Sequence, residues 1–384
     1  MSQPESAFVG ADIFDGERLQ TGKALAIWAD GTCQIVAETN LPVDLPRHLL
    51  PGGTITPGFV DLQVNGGGGR MFNDDPSCET LAIMAEAHRR GGTIALLPTL
   101  ITDTPARTAA AIDAAERAMD ARIPGIVGLH LEGPHLSVAR KGAHDPNLIR
   151  TMEADDLAAL LGAAERLPNL LVTIAPESVT PAQIHKMRDA GIIVSLGHTD
   201  ASYDTCMHAF EAGASMATHL FNAMSQLTNR EPGLVGAALA RDDVFAGVIA
   251  DGIHVHPVSL RLALEAKSEP DRLFLVTDAM ATAGSEITSF QLNGRRVLRQ
   301  DQRLTLEDGT LAGADLALPR ALQVMTEQVG DPLERALARA TRTPASLLRA
   351  PGRLGTWPQN LSDLMYLSGG LTQVCALADA PSRP

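Results

Sequence analysis

The stretch Gly128-Leu-His-Leu-Glu-Gly-Pro-His135 governs how the rest of the chain has to be read. An apolar run through Ile126, Val127, Leu129 and Leu131 ends in a carboxylate, Glu132, and Gly133-Pro134 follows at once. Proline donates no backbone N–H and glycine admits turn geometries, so the pair ends a strand. A carboxylate at the mouth of a buried strand is costly unless something positive holds it, and a metal ion or an ion pair would serve.

The same rhythm extends on both sides. From Thr56 onward, β-like apolar runs occur at Gly58–Val64, Thr93–Leu97, Ile126–Leu131, Leu170–Ile174, Ile192–Leu196, Ser215–Thr218, Phe245–Ala250 and Arg272–Thr277. Helix-like segments separate them: Glu79–Arg90, Pro105–Ala121, Glu153–Leu167, Pro181–Ala190, Tyr203–Glu211, Pro232–Ala240 and Val258–Ala266. Thr104-Pro105 and Thr180-Pro181 are helix-start signals, a capping hydroxyl followed by proline in the first turn. Eight strands alternating with helices predict parallel βα units, and eight is the number that closes a TIM (β/α)8 barrel. An open doubly wound sheet, the competing fold, normally stops at five or six strands.

Residues 1–56 read differently, as short strands (Ala7–Ile13, Ala24–Trp28, Thr32–Ala37) broken by Asp-Gly turns, with Leu41–Leu50 as a linker. After Asp278, Phe290–Leu306 reads as strands with a hairpin at Asn293-Gly294. Asp315–Val329 and Pro332–Arg342 read as helices, and Asp363–Leu377 is again β-like. The predicted organisation is a barrel over 57–348 and a small β-sandwich from both termini, 1–56 and 349–384.

The chain has 384 residues, 45% hydrophobic but only 3% aromatic, so the core must be built from Ala, Leu, Val and Ile. A formal net charge of -14 argues against a nucleic-acid or anionic-membrane surface, but not against a small anionic ligand held by a few local cations. Four scattered cysteines without a CxxC pair, and no basic-then-apolar leader at Met1–Gly10, predict a cytoplasmic setting. No apolar run is long enough to predict a membrane span.

In a barrel the C-terminal strand ends share one mouth. Read in order, those ends offer Asp61, Gln63 and Asn65, then Thr99, Glu132, Glu177, His198, His219, Asp251 with His254, and Asp278. Taken singly, a histidine after an apolar run is most simply a hydrogen-bonded core residue. One carboxylate and two imidazoles at three strand ends form a catalytic metal set with a position left for water. Asp278, at the end of the last strand and followed by small residues, suits a general base beside such water.

Together the motifs resemble one family. Pro57-Gly-Phe-Val-Asp-Leu-Gln-Val-Asn-Gly, His130-Leu-Glu-Gly-Pro, Lys141-Gly-Ala-His, Leu196-Gly-His-Thr, Thr218-His-Leu-Phe-Asn-Ala-Met, Ala250-Asp-Gly-Ile-His and Val276-Thr-Asp-Ala are similar to those of the N-acetylglucosamine-6-phosphate deacetylases, in the amidohydrolase superfamily. The resemblance runs from about Thr56 to Leu348. It implies hydrolysis of the acetamide of N-acetylglucosamine 6-phosphate, with Asp278 as base and then acid and His144 polarising the carbonyl. It further implies substrate contacts from Ala143, Asn222, Ala223, Asp251, His254, Leu311, Ala312 and Gly313. Arg230 would reach the phosphate in a neighbouring subunit, making the protein a homodimer or a dimer of dimers.

Many amidohydrolases carry His-x-His at the first strand end and bind two metals, where this chain has Gln63-Val64-Asn65. An amide is a poor ligand beside imidazole, so one divalent ion on Glu132, His198 and His219 is expected, with Gln63 and Asn65 around it. Zinc is the expected ion, and iron(II), manganese or cobalt would suit the same donors. His135 stands where relatives carry a bulky hydrophobic residue, and the tail Gly352–Trp357 matches the family loosely. The alternatives are the galacto epimer as substrate, another amidohydrolase reaction, and a non-catalytic sugar-phosphate-binding protein.

Overall fold

The computed structural model describes residues 3–349, 354–357 and 360–381, so Gly352 and Arg353 of the tail motif lie outside the described residues. Its centre is a sheet of eight parallel strands: β1 (Phe59–Val64), β2 (Thr93–Ile101), β3 (Leu129–Glu132), β4 (Leu170–Ile174), β5 (Ile193–Leu196), β6 (Met216–Ala217), β7 (Phe245–Val248) and β8 (Leu273–Leu275). Each pairs with the next in sequence. The sheet curls until its ends meet. Val64 bridges Ala279, the Asp278 N–H donates to the Gln63 carbonyl at 3.0 Å, and the Asn65 N–H to the Ala279 carbonyl at 2.8 Å. Below that join, the Thr277 hydroxyl donates to the buried Asp61 carboxylate at 2.5 Å.

Seven helices follow their strands: α1 (Cys78–Arg90), α2 (Pro105–Asp120), α3 (Ala154–Arg166), α4 (Pro181–Asp189), α5 (Tyr203–Ala212), α6 (Gly233–Ala240) and α7 (Pro257–Ala266). The expected starts are present. Thr104 accepts from the Arg107 N–H at 3.3 Å, and Thr180 forms a reciprocal capping box with Gln183. Each such cap is worth about 1 kcal/mol.

The barrel interior carries a polar layer. Thr99 Oγ1 lies 3.2 Å from His130 Nδ1, His130 Nε2 2.8 Å from Thr173 Oγ1, and Thr173 Oγ1 2.7 Å from Thr218 Oγ1. Ser195 completes the chain at 2.6 Å from Thr218. Side chains alternate along a strand, so His130 and Glu132 share the inner face and Leu131 faces the helices. Burial pushes the His130 imidazole down to about 4, so it packs here as a neutral ring.

Two further sheets lie beside the barrel at the chain ends. Strands 6–9, 23–27, 33–37 and 47–49 form one; strands 12–14, 19–20, 54–57, 364–367 and 374–376 form the other. Phe8, Ile13, Leu25, Ile55, Leu364 and Tyr366 from both sheets pack into one core. The stretch read as a linker holds a strand after all. Arg47–Leu49 pairs in parallel with Ala7–Val9, although its outward positions carry no apolar alternation.

A four-stranded antiparallel sheet (289–292, 295–300, 303–306, 311–314) is inserted after β8. The expected hairpin turns at Asn293-Gly294, with φ of 50° and 74°, as a two-residue turn of the primed kind requires. Its last strand was not foreseen; it docks on the main chain after β8, the Ala314 N–H donating to the Asp278 carbonyl at 2.9 Å. Gly313 is needed there: φ is 66°, and a Cβ would sit 2.5 Å from the Met280 side chain. The segment expected as one helix over Asp315–Val329 is Leu318–Gln323 continued by a π-turn, Val324–Val329.

Under the barrel, helix Leu333–Ala340 is pinned by Arg339, whose Nε meets Asp331 Oδ2 at 2.8 Å while Nη1 donates to the Leu273 carbonyl at 3.0 Å. Both side chains are at least 96% buried. Removing one partner strands the other charge in the interior, so Arg339→Ala is expected to cost about 3–5 kcal/mol in urea unfolding. Arg90→Ala, which removes an exposed pair with Glu86, should barely move the midpoint. Equal effects from the two variants would overturn this ranking.

Candidate active site and metal centre

One oxygen organises the barrel mouth. Glu132 Oε1, at the end of β3, lies 2.9 Å from His219 Nε2, 3.1 Å from His198 Nε2 and 3.2 Å from Gln63 Nε2. The two imidazole Nε2 atoms are 3.0 Å apart. His198 follows β5 and His219 follows β6, each at a positive φ (48° and 34°) that turns the chain out of its strand. All three side chains are buried. Burial alone would raise the Glu132 carboxyl, but hydrogen bonds and charge from His198 and His219 hold it well below the usual range.

This donor set fits a divalent cation. His198 Nδ1 is committed to the Arg140 carbonyl at 2.9 Å, and a carbonyl only accepts, so a neutral His198 presents a lone pair at Nε2. Nε2 of His198 therefore meets a carboxylate oxygen and a second imidazole nitrogen with no proton of its own. The mutual separations of 2.9–3.1 Å are close to the about 3.3 Å edge of a tetrahedron with zinc–ligand bonds of about 2.0–2.1 Å. Burial lowers the His219 imidazole, yet the Glu132 hydrogen bond and charge raise it on balance.

Asp278 faces this centre from beyond β8, with φ at 50°. Its Oδ1 accepts from Asn65 Nδ2 at 2.7 Å and from Gln63 Nε2 at 3.1 Å. Gln63 thus donates both amide hydrogens, one to Glu132 and one to Asp278. Burial, then the Glu132 charge, pushes the Asp278 carboxyl up to about 6.

His144 lies under a loop, its ring centroid 4.3 Å from that of His198. Burial, then His198, drives its pKa well below the usual imidazole value. Its Nδ1 is 2.7 Å from the Thr102 hydroxyl and 3.4 Å from the Thr102 N–H. A backbone N–H can only donate, so Nδ1 is the lone-pair nitrogen and Nε2 carries the proton. His144 is thereby set as a neutral donor.

These groups line a cavity of about 390 Å³, at the small end of ligand pockets. Asn65, Ala143, Asn222, Ala223, His254, Leu311 and Gly313 line it, with Glu132, His144, His198, His219 and Asp278. Three expected substrate contacts do not. Ala312 is fully buried in the core of the inserted sheet, because neighbours on a strand face opposite ways. Arg230 is exposed on a loop outside the cavity. Asp251 is turned onto its own loop: Oδ2 takes His254 Nδ1 at 2.6 Å, and Oδ1 accepts the N–H groups of Ile253 and His254. Asp251 orients His254, whose Nε2 has no hydrogen-bond partner among the described residues. Asn222 spends its amide donors on the carbonyls of His219 and Leu220, while the Ala223 N–H has no partner among the described residues.

Of the other strand-end polar groups, Asp61 and Thr99 sit deeper, and Glu177 holds the His198 loop by accepting from the Thr199 hydroxyl and the Asp200 N–H. Sequence reasoning missed Thr102, Arg140, Met280 and Thr310. Thr102 escaped because the run was read as Thr93–Leu97, whereas β2 continues to Ile101. Arg140, paired with Asp200 at 2.8 Å, stands two residues before Gly142-Ala-His and could have been found from that adjacency.

Residues 54–357 match the amidohydrolase family. An N-acetylgalactosamine-6-phosphate deacetylase of Shewanella sp. (strain ANA-3) is 47% identical over 308 residues, 80% of this chain and 77% of that one. An N-acetylglucosamine-6-phosphate deacetylase of Haemophilus influenzae is 36% identical, with 84% of each chain covered. The crystal structure of N-acetylglucosamine-6-phosphate deacetylase from Pasteurella multocida superposes with a TM-score of 0.89 over 96% of both chains, at 36% identity.

Titration of the metal-free protein with zinc is expected to end at one equivalent per chain. His198→Ala should weaken that binding more than about 100-fold, and Thr102→Val by far less, since Thr102 touches His144 rather than the donor set. Two tight equivalents, or equal losses in both variants, would contradict the three-residue centre.

Proposed function

The chain belongs to the amidohydrolase family, whose members are generally metal-dependent, and on that premise we propose that it hydrolyses the acetamide of N-acetyl-D-glucosamine 6-phosphate to D-glucosamine 6-phosphate and acetate. The observation that carries this reading is the shared Gln63 amide. It ties the metal-type carboxylate Glu132 and the free base Asp278 to one point at the mouth of a small cavity.

A divalent ion, zinc for preference, held by Glu132, His198 and His219 would acidify a water and polarise the carbonyl oxygen. The chain's own groups do the rest. Asp278 takes a proton from the attacking water. His144, fixed as an Nε2–H donor, stabilises the negative charge growing on the carbonyl oxygen. Asp278 then returns the proton to the leaving nitrogen. A carboxyl held near 6 suits both duties, since a base of ordinary acidity would return its proton poorly.

The phosphate would lie toward Ala223 and His254, with Leu311 and Gly313 near the acetyl group. His254, oriented through Asp251, offers Nε2, Ala223 offers a backbone N–H, and Arg140 adds a cation at the wall. Arg230, exposed on its loop, would complete the phosphate site of a second subunit in a dimer. Four free cysteines suit a reducing, cytoplasmic setting. No helix of the described residues is long and apolar enough to cross a membrane.

A second reading, N-acetylgalactosamine 6-phosphate as substrate, is favoured by the 47% identity to the Shewanella protein of that name. The epimers differ at one hydroxyl, and acetate release from both, measured side by side with unphosphorylated N-acetylglucosamine, separates the readings. The gluco phosphate is expected to lead, with the unphosphorylated sugar lower in kcat/KM by about 10²–10⁴, the worth of two or three charged hydrogen bonds. A faster galacto phosphate would transfer the assignment to that epimer, and no acetate from any of the three would reject the reaction.

Asp278→Asn should keep its metal and lower kcat by about 10²–10⁴. Because the base acts only when ionised, activity should fall as pH drops through the Asp278 pKa, at or below about 6. Full turnover in Asp278→Asn would exclude this base.

A further inference from the structure

Asn65 presents an atom that the reaction, as described, does not use. The residue closes β1, is 1% exposed, and lines the cavity. Its Nδ2 donates to Asp278 Oδ1 at 2.7 Å. An ionised carboxylate only accepts, so the amide can be oriented one way: nitrogen toward Asp278, oxygen away. That oxygen, Oδ1, is buried and has no hydrogen-bond partner among the described residues. The backbone is fixed as well, its N–H binding the Ala279 carbonyl and its carbonyl accepting from the Phe72 N–H. A buried amide oxygen held rigidly without a donor is rare in proteins and marks a place where a ligand supplies one.

Asp278 Oδ1 is saturated by two amide donors, from Asn65 and Gln63. Its other oxygen, Oδ2, is therefore the one that takes and returns the proton. A leaving nitrogen that receives this proton must come within hydrogen-bond reach of Oδ2, beside the Asn65 amide. The scissile acetamide offers one donor at that nitrogen, its N–H.

We propose that Asn65 Oδ1 accepts the N–H of the scissile amide and stays on that nitrogen as it departs, which makes Asn65 a catalytic residue as well as a brace for Asp278. This rests on the deacetylase reading above. The contact has two effects. It fixes the rotation of the amide, so the nitrogen lone pair that appears in the tetrahedral intermediate faces Asp278 Oδ2. It also strengthens along the reaction. Nitrogen first takes on its lone pair the proton that Asp278 received from water, and the C–N bond of that cationic intermediate then breaks with its electron pair kept by nitrogen, leaving the neutral amine. The N–H groups of this cationic nitrogen are stronger donors than that of a planar amide. An interaction that grows toward the transition state raises kcat rather than only lowering KM. Asn65 itself transfers no proton.

The test compares the natural amide with the oxygen ester, 2-O-acetyl-D-glucose 6-phosphate, which has no N–H at the scissile position. In Asn65→Leu, kcat on the amide is expected to fall about 10–100-fold more than kcat on the ester. Asn65→Ala is run in parallel, because it removes volume where leucine exchanges it, and metal content is measured in both. A brace acting only through Asp278 would lower the two substrates together, and that result would overturn the proposal. So would an unchanged amide rate. A third arm needs no variant: the wild-type protein should turn over the N-methylated acetamide at no more than the rate of Asn65→Leu on the natural amide, and rapid turnover would also overturn the proposal. If the wild-type protein releases no acetate from the natural amide, the deacetylase reading itself has failed.

Discussion

A full negative charge at Glu132, 2% exposed at the top of a hydrocarbon-rich barrel, is the constraint that the surrounding structure answers. In a medium of low polarity such a charge is tolerable only if every lone pair has a donor or a cation. His198, His219 and Gln63 each bring a nitrogen to the same oxygen. Three strands and two loops are placed by that requirement. The loop carrying Arg140 is drawn in by the His198 ring, and the loop carrying Asp200 is held by Glu177. The centre therefore depends on a ring of groups that never touch the ion.

The closure of the barrel serves the same end. The first and last strands meet through Gln63, Asn65, Asp278 and Ala279, so the seam of the sheet and the proposed base are one piece of structure. Asp61, one step deeper on the same face of β1, takes the Thr277 hydroxyl and N–H. Burial pushes Asp61 up to about 7 against those bonds, so near neutrality it gives a carboxyl that is partly protonated and adds little repulsion beneath Asp278. The neutral Gln63 amide bridges two carboxylates with its two hydrogens, and it also fixes which oxygen of Asp278 is left to the cavity.

Much of this could be seen in the sequence, because period and chemistry coincide at strand ends. Apolar runs stop in Glu132, in Gly-His198 and in Thr-His219, and a barrel brings such ends together whatever lies between. What could not be seen follows from the absence of a periodic signal. The strand Arg47–Leu49 is polar and exposed on one side, and the insertion strand Leu311–Ala314 is made of small residues. Orientation is equally silent in the sequence: Asp251 and Ala312 stand in the right motifs, yet one side chain turns to its own loop and the other into a core. Thr102 lies beyond the run read as Thr93–Leu97, because β2 continues through Pro98, paired with Val64, to Ile101.

The backbone at the rim carries its own argument. His198, His219 and Asp278 all lie at positive φ, as do Phe221 and Ala223. Side chains with a Cβ occupy this region only at a cost of about 1–3 kcal/mol each. Glycine would remove the strain at His198, His219 or Asp278 and would also remove the side chain that each brings to the site. The strain is sustained by hydrogen bonds on the far side of each turn: Leu220 to the Gly247 carbonyl, Ser137 to that of His198, and Ala314 to that of Asp278. Each of these comes from a neighbouring element, so the conformation of the ligands is imposed from outside their own loops. A site built this way is pre-set before any ion or sugar arrives, and it is as rigid as the barrel rim that holds it.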